Sequence, residues 1–394
     1  MVSKKNTALR PKASRSPKTP VLRFAHPYFA AVPPDQMAQA PAHQPDMLAH
    51  IQGTLHPIPF VKRGGRMTLA DVIGQDAAER IANAHQITFH VAGDTGVPEL
   101  DRETEQVFVA DAMAKEYDLA HPELCPAFFF HLGDVIYGPN PNSYLDQFYR
   151  PYMHYPGKII AIPGNHDGES PEKIKAFQKY FCAPSQKVPP IAGSIFRQTM
   201  NQPGVYWFLD APFVQIIGLY SNSAENPGFI SSSAIGQKQK QWLVKTLTTI
   251  KASRDQGTRK ALIFASHHPP YSTGGHSGST QMLQDIDDAC TKAGILPDAF
   301  FSGHAHSIQR YTRSVSLGGK TLEIPYVVSG CGGHGGQLVD PASNTPGSNP
   351  TYDFAYEGWG FTTVKVTATT LTITSCGVDK EVTKQVDTTT VTLS

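Results

Sequence analysis

The sequence predicts a layered α/β fold with two sheets. Three observations carry that reading: short apolar runs of strand length alternate with helical segments early in the chain, the late sequence is dense in strands, and no repeat or internal linker divides it. In order, Thr68-x-x-Asp71 forms a capping box that opens an amphipathic segment running towards Ala84. Strands are predicted at 87–92, 127–132, 158–162, 205–209, 214–219, 261–266, 299–302, 326–329, 361–366 and 371–375. Helical patterns lie between them at 101–119, 171–181, 233–253 and 280–293. The last strands should pair antiparallel, and the segment 330–360, rich in Gly, Pro, Ser and Asn, reads as loop.

At 394 residues, 40% hydrophobic and 17% charged, the chain is long enough to bury a substantial core. No apolar run approaches the roughly 20 residues that cross a bilayer, so no membrane partner is expected. Up to Arg23 there are seven basic residues and no acidic one, leaving 27 of the 34 basic residues against 33 acidic ones in the body. That mildly acidic body offers no field for a polyanion, and no nucleic acid partner is expected. Residues 1–66 hold ten of the 32 prolines and read as a disordered basic tail followed by an extended arm, with the folded domain at 67–394. The prolines break the amphipathic helix that an organellar transit peptide needs, and no apolar core follows the basic start as in a secretory signal. Five scattered cysteines (Cys125, Cys182, Cys290, Cys331, Cys376) without a C-x-x-C pair, and the absence of an N-x-[ST] sequon, point to reduced thiols and a cytoplasmic setting.

The chemistry lies where the strands end. The run 87–92 leads into Gly93-Asp94-Thr95-Gly96, 127–132 into Gly133-Asp134-Val135-Ile136-Tyr137, and 158–162 into Pro163-Gly164-Asn165-His166-Asp167. Two later strands end on imidazoles, at His267-His268-Pro269-Pro270 and Gly303-His304-Ala305-His306. In an open α/β sheet ligands gather at the carboxyl ends of strands, so these side chains should converge. A set of carboxylates, an amide, a phenol and imidazoles suits a pair of cations. One carboxylate can bridge two ions about 3.5–4 Å apart, and such a pair acidifies bound water towards a pKa of about 7. Imidazole with carboxylate suits Fe, Zn or Mn rather than Mg or Ca.

The ordered series GD, GDxxY, GNHD, HxP and GHxH resembles the calcineurin-like metallophosphoesterase superfamily, and within it the purple acid phosphatase-like branch, over roughly residues 87–377. The resemblance implies an α/β/β/α sandwich. It implies one metal held by Asp94, Asp134, Tyr137 and His306, and a second held by Asp134, Asn165, His267 and His304, with iron plus iron, zinc or manganese as the pair. His166 matches the residue that supports the transition state or leaving-group oxygen, and His276 resembles a substrate-facing histidine. Gly96 stands where D-x-H branches carry histidine, and Tyr137 supplies the missing ligand; a hard phenolate suits a ferric ion. The implied function is hydrolysis of phosphate esters, monoesters first, by a metal-activated hydroxide acting on a small phosphorylated substrate. A phosphodiester or nucleotide anhydride substrate on the same site is the alternative, and a scaffold that keeps the fold without metals is a third reading. All seven ligand positions are filled, which favours the enzyme.

Several residues imitate function. Gly330-Cys331-Gly332-Gly333-His334-Gly335 spells G-x-G-x-x-G after a strand, but no helical pattern follows to bind a dinucleotide. His90 and His131 read as buried core imidazoles. His268, turned away from His267 by strand alternation, reads as a hydrogen-bond donor behind the ligands.

Overall fold

The computed structural model describes residues 55–97, 103–169, 172–339 and 344–393. The basic tail up to residue 54 lies outside them. In chain order the elements are β1 (Arg66–Thr68), α1 (Leu69–Ile73), α2 (Gln75–Asn83), β2 (Gln86–Ala92), α3 (Glu103–Ala114), β3 (Pro126–His131), β4 (Lys158–Ala161), α4 (Ile174–Phe181), β5 (Trp207–Asp210), β6 (Val214–Leu219), α5 (Lys238–Asp255), β7 (Ala261–Ser266), α6 (Thr280–Ala293), β8 (Ala299–Ser302), β9 (Ile308–Leu317), β10 (Lys320–Ser329), β11 (Thr351–Tyr356), β12 (Trp359–Thr367), β13 (Thr370–Asp379) and β14 (Val382–Thr392). They build an eight-stranded sheet in the order β1-β5-β6-β7-β8-β10-β9-β11 and a six-stranded sheet in the order β14-β13-β12-β2-β3-β4.

The strands that carry the motifs run parallel within each sheet: β2, β3 and β4 in the second, and β6, β7 and β8 in the first. Their carboxyl ends therefore open on the same edge of the sandwich. Side chains alternate between two cores, as the strand repeat requires. Leu262 and Phe264 of β7 meet Leu243 and Leu247 of α5 and Met282 and Ile286 of α6 on the outer face. Ile263 and Ala265 join the core shared by the two sheets. There Phe130 of β3 packs on Trp207 of β5, ring centroids 5.0 Å apart, and the Trp207 indole N–H donates to the carbonyl of Ala161 across the layers. Each such buried aromatic contributes roughly 1.5–3 kcal/mol of transfer free energy. Helix α3 covers β12 and β13 on the far side, completing the helix, sheet, sheet, helix layering.

The capping box at Thr68 is formed in both directions, with the Asp71 carboxylate accepting from Thr68 N–H and Thr68 Oγ1 accepting from Asp71 N–H. The expected single segment to Ala84 is two helices, because Gly74 turns the chain at φ 91° between them. Helix α5 begins at Lys238 rather than 233, after Gly236 at φ 77°. The arm from Leu55 packs on the body: Leu55 is buried against Ala224, Phe229 and Ile235, and the Asn222 amide holds both the N–H and the C=O of His56. Four strands were not foreseen, β1, β9, β11 and β14. Of these, β14 is an edge strand paired to β13 partly through threonine hydroxyls, so it lacks the apolar alternation that marks a strand; β11 stands inside the segment read as loop. All five cysteines are buried and free. Among the described residues no helix is long and apolar enough to cross a membrane.

Glycines set how closely the motif loops approach. A Cβ on Gly164 would stand 2.1 Å from Asp134 Oδ1 and 2.5 Å from the Asp134 backbone nitrogen, whereas at Gly168 the nearest atom would be 3.4 Å away. Gly164→Ala should therefore cost about 2–3 kcal/mol, as overpacking against backbone does, while Gly168→Ala stays near neutral. Chemical denaturation of the two variants checks this; equal stability would mean that the loops are not locked together here.

Candidate metal centre

Three of the turns that deliver the motif residues use backbone that L-residues rarely adopt. Asp94, Asp134 and His304 have φ of 57°, 53° and 68°. Such strain persists where surrounding bonds hold it, and it clusters at functional sites. Here the bonds are specific. Asp94 N–H donates to the Gly133 carbonyl (2.9 Å), His304 N–H donates to Asp94 Oδ2 (2.7 Å), and His166 N–H donates to Asp134 Oδ1 (2.9 Å). Behind them the buried Asp167 carboxylate accepts from Gly164 N–H at 2.8 Å and, at 3.4 Å, from Val135 and Ile136. One motif's backbone thus anchors the next motif's carboxylate.

The predicted residues converge. Asp134, His267 and His304 offer donor atoms within 4.8 Å of one another, all buried. His267 Nε2 lies 3.2 Å from Asp134 Oδ2, 3.9 Å from Asp94 Oδ1 and 3.0 Å from Asn165 Oδ1. On the other side of Asp94, Tyr137 Oη lies 3.4 Å from Asp94 Oδ1 and 3.4 Å from His306 Nε2, which is 3.6 Å from the same Oδ1. Donors bound about 2.0–2.2 Å from one cation sit roughly 3–3.5 Å apart, so both groups have the spacing of a coordination shell.

Ring orientation follows from what each imidazole does with its other nitrogen. His267 Nδ1–H donates to the Leu132 carbonyl (3.0 Å) and His306 Nδ1–H to the Gly335 carbonyl (2.8 Å), leaving each Nε2 lone pair facing inward. His304 Nε2–H donates to Asn226 Oδ1 (3.2 Å), which leaves Nδ1. Asp134 Oδ2, fully buried, makes no hydrogen bond. With His267 neutral, its lone pair, the amide oxygen and the orphaned carboxylate oxygen are acceptors facing one another without a donor, an arrangement that a cation completes; the residues present fit a metal.

The electrostatics agree. Burial pushes Asp94 up to about 8, with repulsion from Asp134 adding to it and His267 opposing. Burial opposes ionisation of Asp134 too, but the charges of His267 and His166 outweigh it and hold that carboxyl below its usual range. Burial would lower His267, yet Asp134 and Asp94 lift it to about 9. Burial and the neighbouring imidazoles press His304 well down and His306 to about 3. Burial, with Asp134 and Asp94, keeps the Tyr137 phenol protonated far above 10. A bound cation inverts this logic for each ligand.

His166 is half-buried at the mouth, its ring 4.4 Å from that of Tyr137 and its Nδ1 2.8 Å from Glu169 Oε1. Burial lowers its pKa, but Asp134, Glu169 and Glu225 raise it overall to about 9, so it carries a proton at neutral pH. The His276 ring lies 4.1 Å from that of His304, with Nδ1 3.2 Å from Asn226 Nδ2 and 3.8 Å from Glu225 Oε1. His268 turns away to Ser221 Oγ and the Ala224 carbonyl, both at 2.8 Å. His90 is held by Tyr155 and Glu116, and His131, buried behind the first two motifs, by Thr95 and the Gly133 N–H. At Gly96 a Cβ would meet Gln147 Oε1 at 2.6 Å and the Val135 carbonyl at 2.8 Å, so a histidine has no room there.

Sequence reasoning missed four residues. Glu225 and Asn226, from the loop after β6, reach Asn165, His166, His276 and His304, and Glu169 pairs with His166. His334 belongs to the glycine loop set aside as a dinucleotide imitation. Its ring stacks on Tyr137 at 3.7 Å and 10°, with Nδ1 2.7 Å from the Gly96 carbonyl, and its backbone N–H donates to the Asp94 carbonyl. The glycines let that loop press on the first motif, since a Cβ at Gly332 would stand 2.6 Å from the Gly93 carbonyl, and no helix follows among the described residues.

This site, at the parallel edge of a two-sheet sandwich, is that of a metal-dependent phosphoesterase. Residues 87–307 match the calcineurin-like phosphoesterase family, more than half of the chain, and the protein belongs to it. No curated protein matches the sequence. Among solved structures the chain is similar to GAP50, the anchor in the inner membrane complex of Plasmodium, at 13% identity and TM-score 0.52, covering 77% of this chain and 89% of that one. It is also similar to PhoD, at 14% identity and TM-score 0.46 over 77% and 72% of the two chains. At such identities the first likeness is one of fold.

The metal-free protein should lose stability as pH rises from about 7 to 9. Over that window Asp94, His166 and His267 keep protons in the folded state that the unfolded chain has released, so the unfolded state binds fewer protons and the unfolding free energy falls with pH. Thermal melts of chelator-treated protein check it, and saturating Zn(II) or Mn(II) should flatten the slope. A melting temperature that climbs over the same window would contradict the charge arrangement.

Proposed function

We propose that the protein is a binuclear phosphoesterase of the purple acid phosphatase-like kind that cleaves phosphomonoesters of small molecules. Asp94, Asp134, Tyr137 and His306 would hold one ion, which the phenol favours as iron, and Asp134, Asn165, His267 and His304 a second, iron, zinc or manganese. The observation that carries the reading is the buried Asp134 carboxylate, with Oδ2 3.2 Å from His267 Nε2 and without a hydrogen bond, and with its charge acting on Tyr137 as well. Metal ions at such a site supply Lewis acidity and water of lowered pKa.

The chain's own residues do the rest. Asp167 holds the backbone of the two central motifs so that the donors stay fixed. His166, whose Nδ1 pairs with Glu169, stands at the mouth beside Tyr137 and gives its proton to the departing alkoxide; His276 stands beside His304, where it hydrogen-bonds a phosphoryl oxygen or shares that proton transfer. The filled donor set favours catalysis over a scaffold role, and Tyr137 in place of a D-x-H histidine favours a monoester over a diester substrate.

His166→Ala should slow hydrolysis of an alkyl phosphate by roughly 10²- to 10⁴-fold with metal content unchanged, and slow nitrophenyl phosphate much less, since nitrophenolate leaves without a proton. Rates of wild type on nitrophenyl phosphate against bis(nitrophenyl) phosphate test the substrate class. A faster diester rate would overturn the monoester reading, and loss of metal from His166→Ala would overturn the role given to that residue.

A further inference from the structure

The side-chain amide of Asn165 has two orientations, and the choice decides whether the second donor group can take a cation. With Nδ1–H committed to the Leu132 carbonyl, the neutral His267 ring that a metal requires presents its Nε2 lone pair, and Asn165 Oδ1 faces that nitrogen at 3.0 Å. Acceptor opposes acceptor. Rotating the amide by half a turn would place Nδ2 there instead, and an N–H···Nε2 hydrogen bond would close the site without any metal. With the ring neutral, the Asn165–His267 pair taken alone favours that closed form.

Glu225 opposes the rotation. Its Oε2 accepts from Asn165 Nδ2 at 3.0 Å, so the rotated amide would turn its oxygen onto a carboxylate. The loop that carries it is anchored on both sides: Ala224 before it gives its carbonyl to His268 Nε2 (2.8 Å), Asn226 after it meets His304 Nε2 (3.2 Å), and Phe229 N–H closes the loop onto the Ser221 carbonyl (2.8 Å). We infer that Glu225 is a positioning residue whose carboxylate locks the Asn165 carbonyl oxygen inward, keeping Asn165, His267 and Asp134 ready for a cation. This rests on the two-metal reading above. The same carboxylate lies 3.9 Å from His166 Nε2 and 3.8 Å from His276 Nδ1, so it spans the edge of the site from the ligand to both proton-bearing rings.

The inference separates an acceptor from a charge. Glu225→Ala removes both, while Glu225→Gln keeps an oxygen that can accept from Asn165. The side chain is 63% exposed, so neither change should disturb the fold, and thermal melts of the metal-free variants check that. Metal-stripped wild type, Glu225→Ala and Glu225→Gln are titrated with Zn(II) in competition with a chromogenic chelator. Wild type should take two equivalents. Glu225→Ala should bind one of them 10- to 100-fold more weakly, the usual loss when the partner that orients a ligand is removed, with the other unchanged. Glu225→Gln should restore the weakened equivalent. Two wild-type affinities in Glu225→Ala would overturn the inference and leave the metal site standing. Equal weakening in both variants would show charge rather than orientation at work and overturn it as well. Failure of wild type to bind two ions would overturn the metal reading, and this inference with it.

Discussion

The centre of this molecule is a collection of electron-rich atoms that a metal cation, or in its absence retained protons, must reconcile. Asp94 and Asp134 are buried with almost no exposure, and the neutral forms of His267 and His306 turn Nε2 lone pairs towards them. Removing two carboxylates from water without a compensating charge costs several kcal/mol per ion in real proteins. The raised pKa of Asp94 and His267 is that cost expressed as retained protons. The surrounding architecture serves to hold these groups together against their repulsion.

The sandwich provides the means. Parallel strands from both sheets end on one edge, so Asp94, Asp134 and Asn165 arrive from one layer and His267 and His304 from the other. Glycines then let the turns interlock at distances no side chain would permit: Gly303 faces Asp94, Gly164 faces Asp134, and Gly133 faces Gly164. The left-handed backbone at Asp94, Asp134 and His304 is held by hydrogen bonds between motifs, which makes the site cooperative. The Arg310 guanidinium of β9 reaches Asp387 of β14, tying the two sheets near their far strands.

The strand-end motifs are legible in the sequence because each joins a dense apolar run to a glycine and a ligand-type residue, and the order of five such motifs is hard to reach by chance. Convergence in space follows from the parallel sheet alone. Other features carry no such mark. Glu225 and Asn226 sit in Ser-Ala-Glu-Asn-Pro, which reads as any polar loop, and their role appears only when the loop after β6 is folded back over Asn165 and His304. His334 is hidden by the glycines around it, whose purpose is close packing on Gly93 and Asp94 rather than a phosphate cradle. The edge strand β14 carries three scattered valines among threonines and charged residues and no apolar alternation, so its pairing is decided by the neighbour β13 and not by its own pattern.

The central claim is that two cations share the Asp134 carboxylate. Crystals of the protein grown with its metals and measured for anomalous scattering at the metal absorption edges test it most directly. The account predicts two peaks about 3.5–4 Å apart, one among Asp94, Asp134, Tyr137 and His306 and the other among Asp134, Asn165, His267 and His304. A single peak, or peaks that leave Asp134 outside both coordination shells, would contradict it.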